Sequence, residues 1–208
     1  TINISDYPSI QLDFIFFTLQ FIFSMNYITT EIEGVYILEP KLFKDARGYF
    51  TETYNEEDFN KGVGKKITFI QDNQSQSSKG VLRGLHYQQG DDSQAKLVRV
   101  IKGAVLDVAV DLRKDSPTFG KYVMVELSED NMKQLFTPRG FAHGFYVLSK
   151  EATFIYKVDN RYAPTSERTL AYNDPTVNIV WPISENNPPL LSDKDTNKAL
   201  TLDQVIPF

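Results

Sequence analysis

Residues 95–120, "AKLVRVIKGAVLDVAVDLRKDSPTFG", decide the fold. Within them "VLDVAVDLR" alternates strictly. Val105, Asp107, Ala109 and Asp111 share one side, and Leu106, Val108, Val110 and Leu112 the other. A period of two belongs to a pleated strand, whose successive side chains point to opposite faces. The aliphatic side must be core. The side with two carboxylates is either wet or a polar pocket. "IKGA" before it and "KDSPTFG" after it read as turns.

The same grammar extends outward. "GVYILEP", "GYFTETY", "KITFIQDNQS", "KYVMVELS", "QLFTPRGFAHGFYVL" and "ATFIYKVDNRY" are rich in Val, Ile, Phe, Tyr and Thr, and "DARG", "TPRG" and "YAPTSE" punctuate them. Short strands with regular turns predict an antiparallel sandwich or jelly roll. Only "NEEDFNKG" (55–62) and "SEDNMKQ" (128–134) read as helices. The Pro- and Asp-rich chain around "WPISENNPPLLSDKD" (181–195) is expected to wrap the outside.

The 208 residues carry 22 Lys+Arg against 27 Asp+Glu. That balance argues against a general nucleic-acid or anionic-membrane surface, though not against a local basic pocket. Cysteine is absent, which excludes disulfides, thiolate metal sites and a Cys nucleophile, and is compatible with a reducing cytoplasm. The apolar run "FIFFTLQFIF" (14–23) is half the length of a membrane helix, and no Lys or Arg precedes it. Residues 1–24 are expected to be an extension outside the core, with residues 25–208 a single domain.

No phosphate-binding Gly loop and no nucleophile elbow occurs. The two histidines, His86 in "LRGLHYQ" and His143 in "TPRGFAHGFY", cannot make a three-His metal site, and Gln88 stands where an H-x-H pair would have its second imidazole. A site of two histidines and a carboxylate stays open. Proton transfer fits better: imidazole titrates near neutral pH, a carboxylate can fix its tautomer, and a lysine can stabilise an enolate oxygen. A lone histidine can equally be a satisfied core residue.

Seven stretches then occur in one order: "EPKLFKDARGYFTETYN", "FIQDNQSQSSKGVLRGLHYQ", residues 95–120, "FTPRGFAHGFYVLS", "YKVDNRYAPTSE", "YNDPTVNIVWP" and "LSDKD". With them the chain, from about residue 34 to 204, resembles the dTDP-4-dehydrorhamnose 3,5-epimerases. The resemblance implies an all-β, cupin-type antiparallel jelly roll with a few short helices. It implies epimerisation of dTDP-4-dehydro-6-deoxy-D-glucose at C3 and C5, without metal or organic cofactor, on the way to cell-surface polysaccharide.

Residue by residue, the resemblance makes His86 the general base, Asp195 its orienting carboxylate, Tyr156 the acid on the other sugar face and Lys96 the group beside the C4 oxygen. Arg47 and Arg83 match anion-binding arginines. Glu52, Gln71, Asp72 and Asn73 match the nucleoside end, Phe50 and Tyr162 flank the thymine, and His143, Glu167 and Lys194 match further substrate contacts. Asp107 is the candidate partner of His143. The resemblance implies a cytoplasmic homodimer with pocket residues shared between subunits, so that Arg47 and Glu52 act in trans, and no nucleic-acid or membrane partner. A single-position epimerase of another dTDP-4-keto-6-deoxysugar and an inactive nucleotide-sugar-binding cupin are the alternatives. In a regular strand Arg83 and His86 would face opposite ways, so the strand is expected to bend at Gly84 or Arg83 to serve a shared site.

Overall fold

The computed structural model describes residues 25–184 and 186–208, and the expected extension, residues 1–24, lies outside them. One sheet orders β1 (Met25–Thr29), β2 (Tyr36–Pro40), β10 (Gln134–Thr137), β7 (Lys96–Lys102), β12 (Glu151–Val158) and β5 (Gln71–Ser78). The other orders β14 (Ala199–Leu200), β13 (Glu167–Leu170), β6 (Leu82–Gln88), β11 (Phe141–Val147), β8 (Ala104–Asp111) and β9 (Tyr122–Ser128). A separate hairpin joins β3 (Phe43–Asp45) to β4 (Gly48–Phe50). Neighbouring strands are antiparallel except for the β13–β14 pair. This is the all-β antiparallel class read from the strand spacing, in the jelly-roll form that the resemblance implied.

Strand β8 shows why the alternation forms. Val105 and Ala109 pack between the sheets with Val98, Val100, Leu135, Phe145 and Phe154. Leu106, Val108, Val110 and Leu112 lie on the other face, beneath Val177, Ile179, Trp181, Leu202 and Val205 of the C-terminal segment. Both faces of the strand are therefore covered, and each large apolar side chain so buried contributes about 1.5–3 kcal/mol. The carboxylate-bearing side is the sandwich interior: Asp107 and Asp111 are both fully buried. Arg113, Ser116 and Thr118 close around Asp111 at 2.6–2.8 Å. Burial alone would raise its pKa, but those bonds hold the carboxyl below the usual range.

Helix α1 (Glu56–Val63) forms where expected. The Asn55 side chain accepts from the Glu57 and Asp58 amides, three acidic residues fill the first turn, and Gly64 ends it at φ +68°. Phe59 and Val63 pack on Leu38, Leu97 and Phe136, against the outer face of the first sheet. The second expected helix, 128–134, is instead a turn. Asn131 Oδ1 accepts from the Ser128 and Lys133 amides, and Met132 has φ +53°. These local side-chain bonds outcompete the helical ones. A short helix the sequence reading did not assign, α2 (Asp193–Asn197), follows Ser192.

Candidate active site

Pleat and register decide which side chains meet. On β12, Tyr156 lies opposite Asn73 and Val98, and Val158 opposite Gln71 and Lys96. Val98 belongs to the core between the sheets. Gln71, Asn73, Lys96 and Tyr156 therefore share the inward face. On the second sheet His86 lies opposite both His143 and Thr169, His143 opposite Ala109, and Glu167 opposite Gln88. Ala109 is again core, so His86, His143, Asp107 and Glu167 look inward towards the first set.

Arg83 joins them through a bulge. The β6–β11 register runs His86↔His143 and then Arg83↔Phe145, three steps on one strand against two on the other. Gly84 sits there at φ +119°, and a Cβ on it would stand 2.7 Å from the Gly144 Cα; one on Gly144 would stand 2.5 Å from the Arg83 carbonyl oxygen. Two glycines thus let the backbones approach and turn Arg83 onto the face of His86. Arg83 Nε donates to Ser77 Oγ at 2.9 Å.

His86 Nε2 lies 2.5 Å from Asp195 Oδ1, across 109 positions of sequence. The imidazole is 29% exposed and the carboxylate 2%. Ser192 Oγ donates to the other carboxylate oxygen at 2.7 Å. Burial pushes the Asp195 pKa up, but His86, Ser192 and Lys194 together hold it below the usual range. The second histidine makes a separate pair: His143 Nε2 lies 2.9 and 3.1 Å from the Asp107 oxygens. Burial raises the Asp107 carboxyl against the opposing pull of His143 and Lys96.

Lys96 Nζ donates to the His86 carbonyl oxygen at 3.3 Å. Burial lowers its pKa to about 8, with Asp107 and Glu167 opposing the fall. Burial raises the Tyr156 phenol, Arg83 opposes and Glu167 adds to the rise. Glu167 accepts from Tyr162 at 2.7 Å and forms an ion pair with Lys194 of α2. This cluster holds an imidazole with a fixed carboxylate partner, a buried phenol and a buried lysine. It is equipped to take a proton from carbon on one side and return one from another.

Other expected residues stand elsewhere. Asp72 lies on the opposite face of β5 from Gln71 and Asn73, where Lys157 binds both its oxygens at 2.9 and 3.0 Å. Asp72 nevertheless lines one cavity with Asn73 and Tyr156. Arg47 is exposed at the hairpin tip and pairs with Asp45. Phe50 is 58% exposed against Phe43, and Glu52 lies near Tyr27. Within one chain the hairpin side chains are not brought to His86. Gln88, at the would-be metal position, bonds the Asp92 and Arg161 carbonyls and the Ala163 amide. Among the described residues no three His, Asp or Glu side chains converge as a metal-ligand set. Ser77 and Ser192 were not singled out in the sequence; the signal for Ser192 was a serine three positions before an acid, the pattern of a helix cap.

Comparison with known proteins gives concordant results. A sequence model of the dTDP-4-dehydrorhamnose 3,5-epimerase family matches residues 29–203. A dTDP-4-dehydrorhamnose 3,5-epimerase of Shigella flexneri is 56% identical over 179 residues, 86% of this chain and 97% of that one. The crystal structure of the enzyme of that name from Elizabethkingia anophelis superposes with a TM-score of 0.83 at 50% identity, covering 87% of this chain and 98% of that one. A dTDP-6-deoxy-D-glucose-3,5-epimerase from Legionella pneumophila, solved in complex with dTDP-4-keto-L-rhamnose, gives 0.82 at 47%, covering 88% and 95%.

Proposed function

The chain belongs to the dTDP-4-dehydrorhamnose 3,5-epimerase family, and from that premise we propose that it converts dTDP-4-dehydro-6-deoxy-D-glucose to dTDP-4-dehydro-L-rhamnose. The observation that carries the reading is the His86–Asp195 contact, with His86 turned towards Lys96 and Tyr156 of the facing sheet. The C4 ketone acidifies the hydrogens on C3 and C5. His86, with Nε2 engaged by Asp195, takes the C5 proton on its other ring nitrogen. The C–H electron pair moves to the C4 oxygen, where the Lys96 ammonium offsets the enolate charge. Tyr156, kept protonated by burial, delivers a proton to the opposite face of the carbon, and the carbonyl re-forms. His86 then loses its proton to solvent and Tyr156 regains one, and after the ring moves the same groups act at C3. No electrons are gained or lost overall.

Arg83 bonds the diphosphate, which suits a planar guanidinium. Gln71, Asn73 and Tyr162 line the nucleoside end, and His143, Glu167 and Lys194 the sugar. The exposure of the hairpin supports a homodimer in which Arg47, Phe50 and Glu52 complete the partner's pocket. A charged nucleotide sugar does not cross membranes unaided, which favours a cytoplasmic site. Among the described residues no helix is long and apolar enough to span a bilayer.

Proton NMR of the substrate with the protein in D2O tests the reading. Deuterium at both C3 and C5 is expected, with His86→Asn abolishing exchange while dTDP still binds. Label at one carbon would mean a single-position epimerase. No label with nucleotide bound would leave a binding protein.

A further inference from the structure

We infer that Ser192 is a positioning residue for the reaction, aligning the Asp195 carboxylate and through it the ring of His86. The inference rests on the reading of His86 as the base. A carboxylate that meets imidazole through one oxygen can still rotate about its Cβ–Cγ bond. Here the second oxygen is held: Ser192 Oγ donates to Asp195 Oδ2 at 2.7 Å, while Oδ1 lies 2.5 Å from His86 Nε2. The same hydroxyl oxygen accepts from the Asp195 amide at 3.3 Å. Serine and aspartate thus grip each other through backbone and side chain.

The grip matters because little else fixes the carboxylate locally. Helix α2 is five residues long, far below the length at which a helix holds its own geometry. Its start is set by Ser192, which also accepts the Asp195 and Thr196 amides on its carbonyl. Any loosening at Ser192 is passed to Asp195 Oδ1 and so to the imidazole. Since His86 serves both carbon centres, alignment at Ser192 bears on both exchange steps alike.

Helix capping and carboxylate alignment separate experimentally. Glycine caps a helix nearly as well as serine but has no hydroxyl. Ser192→Gly should therefore lower kcat about tenfold, the size of one charge-assisted hydrogen bond, at a temperature where both proteins are fully folded, with KM nearly unchanged and only a modest fall in melting temperature. Ser192→Thr, which restores a hydroxyl, should recover most of the rate. In an Asp195→Asn background Ser192→Gly should cost nothing further, because the carboxylate it aligns is gone. An unchanged kcat in Ser192→Gly, beside a slow Asp195→Asn, overturns the inference and leaves the dyad standing. An equal loss in both backgrounds assigns Ser192 to structure alone and overturns it too. A fully active Asp195→Asn would remove the dyad itself, and the role of Ser192 with it.

Discussion

At the scale of single residues, Lys96 makes the sharpest demand. Burial lowers its pKa to about 8; Asp107 and Glu167 resist the fall and Lys194 adds to it. A lysine so depressed is charged below that value and neutral above it. On the proposed mechanism, the offset it gives to the enolate is therefore present at neutral pH and lost as pH rises through about 8. The expected outcome is an alkaline limb in kcat/KM near that pH. Arginine keeps its charge throughout. Lys96→Arg should be slower at neutral pH yet show no limb near 8. An alkaline limb identical in the variant would mean that another group titrates there. Asp72 shows what periodicity does make legible: Gln71 and Asn73 flank it on one strand, so the two-residue period alone places its side chain on the other face, beside Lys157.

At the scale of elements, the bulge in β6 is the device on which the site depends. Without the extra step at Gly84 the three-residue spacing would send Arg83 and His86 to opposite faces. Gly84→Ala asks a side chain to adopt φ +119° and to stand 2.7 Å from the Gly144 Cα. The same Cβ would stand 2.8 Å from the His143 carbonyl oxygen, and neither neighbour can yield, because both are backbone in the middle of a sheet. The expected cost is about 3 kcal/mol, read as a lower midpoint in denaturant, with turnover falling further than stability alone explains. Retention of wild-type stability would show that the bulge tolerates a Cβ. The strands that carry the site were legible because alternation and turns are local signals. Helix α2 was not: five polar residues have no apolar period, and only the Ser192–Asp195 spacing marks it. Residues 128–134 looked helical by composition, but the Asn131 bonds that make them a turn are invisible to periodicity.

At the scale of the molecule, the C-terminal segment is both the outer layer of the core and the carrier of Asp195. Strand β8 read as one buried face and one open question because the cover on its outer side comes from more than sixty positions away; that contact leaves no local trace. The segment is tied down on both sides of α2. Leu190 exchanges backbone bonds with Gly80 and Leu82, and β14 pairs with β13 at Thr169 and Leu170. Beyond β14, buried Asp174 accepts from the Leu202 amide through Oδ2 at 2.8 Å, while its Oδ1 holds the Thr176 and Val177 amides. The two oxygens thus do separate jobs. Asp174→Asn keeps an acceptor for the local turn but turns an NH2 towards the Leu202 amide, donor against donor. A buried amide left unpaired costs about 1–3 kcal/mol, so the melting temperature should fall. Because the released end anchors α2, kcat should fall while nucleotide affinity, which depends on the sheets, stays near wild type. Equal losses of affinity and kcat would mean that the tail supports the whole pocket and not the His86–Asp195 pair in particular.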